Sequence, residues 1–168
     1  VKGMGFANLR TFLKLSNTEC AALCDVDQNV LEERIQNVKE LQGKAPKGYS
    51  DFRDMLEHKG LDVIIIGTPD HWHTIPFVNA AELGYAVYCE KPLANTIEEC
   101  NIMERAVNRY NTVAQIGQWQ RSDKHWQDAI KYVHSGQLGM IRTVRSWSYQ
   151  GWMKSIPAVA DSPVPEGV

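Results

Sequence analysis

Apolar residues recur along the chain in two rhythms. Short unbroken runs alternate with longer segments in which an apolar residue returns every three or four positions, the signature of buried strands separated by amphipathic helices. The clearest run is Leu61-Asp62-Val63-Ile64-Ile65-Ile66-Gly67-Thr68. Its continuous apolar core predicts burial on both faces, hence a parallel sheet between helices. Cys20 to Val26 and Tyr85 to Glu90 read as two more strands, and Thr112 to Ile116 as a further short one.

The segments between them carry helical signals. Leu9, Phe12 and Leu13 predict a helix over 7–15, entered from a glycine-rich turn at Gly3-Met4-Gly5. Val30, Leu31, Ile35, Val38 and Leu41 form one face of a second helix, with Asp27 as its cap and Gly43 as its stop. A loop follows, then a short helix near 51–57. Pro76 opens another helix that ends before Gly84, and Thr96-Ile97-Glu98-Glu99 is a capping box for a helix running to about Tyr110. Past Arg121 the character changes. Trp126, Ala129, Ile130 and Val133 mark an amphipathic helix, Ser135 to Gly139 a turn, and Ile141 to Tyr149 a strand of mixed faces, before a tail rich in Pro, Ser and Ala.

Composition narrows the function classes. Eighteen basic against 20 acidic residues leave a net charge of −2, without the basic excess that nucleic-acid binding requires. No apolar run approaches the ~20 residues of a membrane span. Cys20, Cys24, Cys89 and Cys100 lack zinc-type pairing and read as reduced core thiols, as expected in a cytoplasm. His71 and His73 have no third ligand nearby, so no metal site is expected.

The chemistry gathers where predicted strands end. In open parallel α/β sheets, ligands bind outside the carboxyl ends of the strands. Asp25 closes the second run about twenty residues past the glycines, the spacing at which an acid reaches the adenosine ribose and disfavours a 2′-phosphate. Pro69-Asp70-His71-Trp72-His73 follows the third strand, and Glu90-Lys91-Pro92 follows the fourth. The proline ends that strand because it lacks the ladder N–H, which leaves the Lys91 ammonium on its rim. Glycines entering a helix suit a phosphate. The strand that should precede them would lie upstream of Val1, so the expected fold is an α/β, doubly wound parallel sheet lacking its first strand, in a piece of a longer protein.

Gly3-Met4-Gly5, Cys24-Asp25-Val26-Asp27, Thr68 to His73, Glu90-Lys91-Pro92 and Gly117 to Arg121 together resemble the glucose-fructose oxidoreductase and inositol dehydrogenase family, Gfo/Idh/MocA. The Glu-Lys-Pro triplet after a strand is the most specific of these motifs. The resemblance implies a Rossmann-like NAD(P)-binding domain over 1–120 and the start of a truncated α+β substrate and oligomerisation domain over 121–168. It implies Lys91 as the catalytic lysine. The implied cofactor residues are Gly3, Met4, Gly5, Asp25, Thr68, Pro69, His71, Trp72, His73, Glu90, Lys91 and Gln118. Lys2 stands where the fingerprint has its second glycine.

By the same resemblance the full-length protein is expected to be a cytoplasmic homo-oligomer that moves a hydride between a nicotinamide cofactor, NAD rather than NADP, and a secondary alcohol of a sugar or polyol. Two alternatives follow. One is an NAD-dependent glycoside hydrolase that oxidises its sugar transiently, and the other a non-catalytic dinucleotide-binding module. The 168-residue chain alone is expected to be inactive.

Overall fold

The structure is a computed structural model that describes residues 3–147, and these divide after Gly117 into two compact units. In the first, helices and strands alternate as α1 (Gly3–Phe12), β1 (Ala22–Cys24), α2 (Gln28–Gln42), β2 (Lys47–Tyr49), α3 (Phe52–Leu56), β3 (Val63–Ile66), α4 (Thr74–Glu82), β4 (Ala86–Cys89), α5 (Ile97–Tyr110) and β5 (Ala114–Ile116). Every ladder is parallel. β1 pairs with β2, Leu23 opposite Gly48, while β3, β4 and β5 form a second sheet with Ile64 opposite Val87 and Cys89 opposite Ile116. Among the described residues no ladder joins β1 to β3. Parallel neighbours need a crossover, and the helices between the strands supply it.

Local chemistry sets the helix ends. The Asp27 carboxylate accepts the N–H groups of Asn29 and Val30 at the start of α2, and Gly43 leaves that helix at φ 81°. At α5 the Thr96 hydroxyl accepts the Glu99 N–H while the Glu99 carboxylate accepts the Thr96 N–H, a reciprocal box. Packing then fixes the layers. Ile64, Ile66, Val87 and Cys89 from the second sheet meet Phe77 and Ala80 of α4, Met103 of α5 and Leu56 of α3. Each such buried aliphatic or aromatic side chain contributes roughly 1.5–3 kcal/mol of transfer free energy. A smaller cluster of Leu9, Leu23, Leu31 and Val38 holds α1 and α2 against β1.

Four expectations need correction. Helix α1 begins at Gly3 rather than Ala7, so the glycines lie inside its first turn and not before it. The strand β2 falls in the expected loop, because Lys47-Gly48-Tyr49 lacks an apolar run; Gly48 is there since a Cβ would stand 2.7 Å from Ile35 Cδ1 on α2. β3 is not equally buried on both faces: Ile64 and Ile66 are 5% and 4% exposed, but Val63 is 48% exposed. Finally, residues 141–147 form no strand, since a strand needs a ladder and no described segment pairs with them; the rest of that expected strand lies outside the described residues.

In the second unit, a 3-10 turn (Trp119–Ser122) leads into α6 (Lys124–His134). Its apolar residues Trp126 and Ile130 are exposed. No helix of the described residues is long and apolar enough to cross a membrane.

Candidate functional site

Parallel strands bring their carboxyl ends to one rim. Thr68 follows β3, Glu90 and Lys91 follow β4, and Gly117 follows β5. Helix α1 starts at this same rim, because Gly5 packs on Gly67 at the end of β3: a Cβ on Gly67 would stand 2.7 Å from Gly5 Cα. Only two glycines allow backbones that close. Helix α1 leads into β1, and Asp25 stands just past the carboxyl end of that strand, its N–H donating to the Tyr49 carbonyl that ends β2.

Glu90 is the centre of the arrangement. The residue is 4% exposed, and its N–H donates to the Ile66 carbonyl of β3 at 2.9 Å. Oε1 accepts from Asn8 Nδ2 of α1 at 2.8 Å and from the Tyr88 hydroxyl at 3.4 Å, while Oε2 accepts from the Lys91 N–H at 3.2 Å. Gly117 lies flat against it, since a Cβ there would stand 2.6 Å from Oε1. Burial, followed by the charge of Glu90 and the hydrogen bond to it, pushes the Tyr88 hydroxyl above its ordinary pKa. Burial and then the same charge push the Cys89 thiol up to about 12, which makes it an inert core residue.

His73 ties two rim loops together. It is 1% exposed, with Nδ1 2.9 Å from the Pro92 carbonyl and 3.1 Å from that of Leu93, and Nε2 2.8 Å from the Thr68 carbonyl. The loop after β3 is therefore bonded to the turn that carries Lys91, whose peptide to Pro92 is cis. Within the first of these loops the Thr68 hydroxyl donates to the Trp72 carbonyl at 3.0 Å, and the His71 N–H to Asp70 Oδ1 at 2.9 Å.

The other sequence-derived site residues fall as follows. Thr68, Pro69, His71 and Trp72 are exposed beside β3, and Lys91 is exposed beside β4. Gly3 and Met4 are exposed in the first turn of α1, where helix geometry leaves N–H groups without intrahelical partners. The Asp25 carboxylate accepts the Asp27 N–H at 3.1 Å. Gln118 belongs to the second unit, where it precedes the 3-10 turn, and Lys2 lies outside the described residues. Sequence reasoning missed Asn8 and the packing roles of Gly67 and Gly117, since their partners are remote in sequence, and it missed Tyr88, whose hydroxyl meets Glu90 two residues on and whose ring meets Phe12 of α1. Among the described residues no three His, Cys, Asp or Glu side chains group to hold a metal.

These residues fit a dinucleotide. A glycine-opened helix start offers N–H groups and a positive dipole end to phosphates, and an acid stands past the neighbouring strand for a ribose.

Comparison with known proteins agrees with this geometry. Residues 3–118 match the model of the Gfo/Idh/MocA family, described as an oxidoreductase family with an NAD-binding Rossmann fold. Over 100 residues the chain is 35% identical to a glycosyl hydrolase family 109 protein of Shewanella pealeana, which covers 57% of this chain and 22% of that protein. The chain thus spans about a fifth of the length of the curated relatives it matches. Myo-inositol 2-dehydrogenase from Lactobacillus plantarum superimposes with a TM-score of 0.72 at 27% identity, over 82% of this chain and 40% of that one. Scyllo-inositol dehydrogenase from Lactobacillus casei, solved with NAD(H) and scyllo-inositol, superimposes with a TM-score of 0.72 at 23% identity, over 83% and 40%.

Proposed function

Because the chain belongs to the Gfo/Idh/MocA family of NAD-binding oxidoreductases, we propose that the full-length protein transfers a hydride between NAD and a secondary alcohol of a sugar or polyol, with Lys91 as its catalytic residue. The observation that carries this reading is the exposed Lys91 at the carboxyl end of β4, on a turn held from behind by Glu90 and His73. The first turn of α1 would bind the cofactor phosphates and Asp25 the adenosine ribose. Thr68, Pro69, His71 and Trp72 would border the cofactor, with Glu90 and Lys91 at its nicotinamide end. His73 would act from beneath that surface, since both its ring nitrogens face carbonyl oxygens.

When bound, the nicotinamide supplies the hydride acceptor; the protein supplies orientation and proton management. In the oxidative direction the alcohol loses its C–H hydrogen as hydride and its O–H proton to the Lys91 amine. In the reductive direction the Lys91 ammonium returns that proton to the nascent alkoxide, so charge and atoms balance. Loss of such a group costs typically about 10²-fold or more in rate. In full-length protein, Lys91→Ala should bind NAD nearly as wild type yet lose turnover on a panel of inositols and hexoses, read by cofactor absorbance. Turnover at the wild-type rate in that variant would remove Lys91 from the chemistry.

The glycosidase reading has its own support in the 35% identical family 109 relative. Transient oxidation followed by elimination and re-reduction uses the same early steps and consumes no net cofactor. Aryl glycosides offered to the full-length protein without added NAD distinguish the two: phenol release favours the hydrolase.

A further inference from the structure

Helix α1 and the end of β4 touch at two places. Asn8 Nδ2 donates to Glu90 Oε1 at 2.8 Å across 82 residues of sequence. One turn further along the helix, Phe12 meets Tyr88 edge-on, with ring centroids 5.5 Å apart and planes at 77°. Of the donors to Glu90, the Tyr88 hydroxyl and the Lys91 N–H come from its own strand end, whereas Asn8 comes from another element. A nearly buried carboxylate needs such donors, because lone pairs withdrawn from water without a partner are costly. Gly117 lies against one side of the carboxylate, where a Cβ would stand 2.6 Å from Oε1.

We infer that Asn8 is a positioning residue: by holding Glu90 it links the helix that faces the cofactor phosphates to the turn that presents Lys91. This rests on the NAD reading above. The amide acts through Glu90 and touches no reacting atom. Without it, Glu90 Oε1 loses its shortest bond and the Lys91 turn loses its tie to α1, while the first-turn N–H groups of α1 stay intact. A displaced Lys91 lowers turnover more than cofactor affinity, because rate depends steeply on how a reacting group is aligned.

The test uses full-length protein. Asn8→Leu keeps side-chain size and removes the donor; it should lower kcat about tenfold, with the NAD dissociation constant, read by fluorescence titration, within threefold of wild type. Asn8→His places an Nδ1 donor at the same number of bonds from Cα and should recover most of the lost kcat. In protein labelled at asparagine and unsubstituted at position 8, the Asn8 carboxamide NMR signal should differ between the Glu90 and Glu90→Gln forms, a readout independent of turnover. The inference is overturned if kcat of Asn8→Leu stays within twofold of wild type, if NAD affinity falls in step with kcat, if Asn8→His rescues nothing, or if that signal ignores Glu90→Gln. Should Asn8→Leu not fold, the histidine variant and the NMR signal still decide. A wild-type protein that binds no NAD would instead sink the functional reading, leaving the amide signal to judge the Asn8 contact.

Discussion

Gly5 and Gly67 pack backbone against backbone: a methyl group on Gly67 would stand 2.7 Å from Gly5 Cα and 3.3 Å from its nitrogen. This contact seats the start of α1 at the carboxyl end of β3. Backbone cannot yield as a flexible side chain can, so Gly67→Ala should cost about 1–3 kcal/mol. The expected readout is a lower urea midpoint with an unchanged slope. Gly5→Ala should cost less. Its methyl would stand 3.3 Å from the Gly67 carbonyl oxygen and 3.7 and 3.8 Å from Gly67 Cα and C, and alanine in place of glycine favours a helix by up to about 1 kcal/mol. Equal stability of Gly67→Ala and wild type would contradict the seating of α1.

His73 bridges the Thr68 carbonyl and those of Pro92 and Leu93 from a buried position. His73→Phe retains a ring but removes the ring nitrogens from the Thr68, Pro92 and Leu93 carbonyls, and should destabilise the protein by about 1–3 kcal/mol. The loss is directional as well as global. Hydrogen exchange of backbone amides in 90–94 should accelerate more than exchange within α2, which makes no contact with this clip. Uniform acceleration would mean that His73 fills space without tethering the Lys91 turn.

Alkaline pH should weaken the fold through its thiols. Burial raises Cys89 from an ordinary 9.0 to about 12, and Cys20 and Cys24 to about 11. Below about pH 9 both folded and unfolded chains keep these protons, and the contribution of the buried thiols is intact. Above it the unfolded chain releases protons that the folded chain still holds, so stability falls as pH rises through the 9–12 window. Urea midpoints measured from pH 8 to 11 should decline, and Cys89→Ala should flatten the decline. A flat profile in the unsubstituted protein would show that the thiols titrate alike in both states.

Much of the fold was legible because its signals are local. The Asp27 cap, the Thr96 and Glu99 box, and Gly43 as a stop depend on residues within a few positions of one another. So does the apolar face of α2. β2 was illegible because Gly48 serves the packing of Ile35 and Leu31, a reason that resides on another element. The start of α1 was misplaced because Gly3 and Gly5 look like a turn until Gly67 is beside them. The expected strand over 141–149 failed in its described part for the same kind of reason, since a ladder depends on a partner and not on pattern.

By itself the sequence determined where the runs that form β1, β3 and β4 stop, and so put Asp25, Thr68 and Lys91 past carboxyl ends, because turn residues and periodicity act over a few positions. Tertiary structure alone decided what surrounds Glu90 and where His73 points. Asn8 reaches that carboxylate across 82 residues, and His73 reaches the Pro92 carbonyl across 19. Such contacts arise only after strands pair and helices dock, since a hydrogen bond depends on distance in space and carries no mark in the order of the chain.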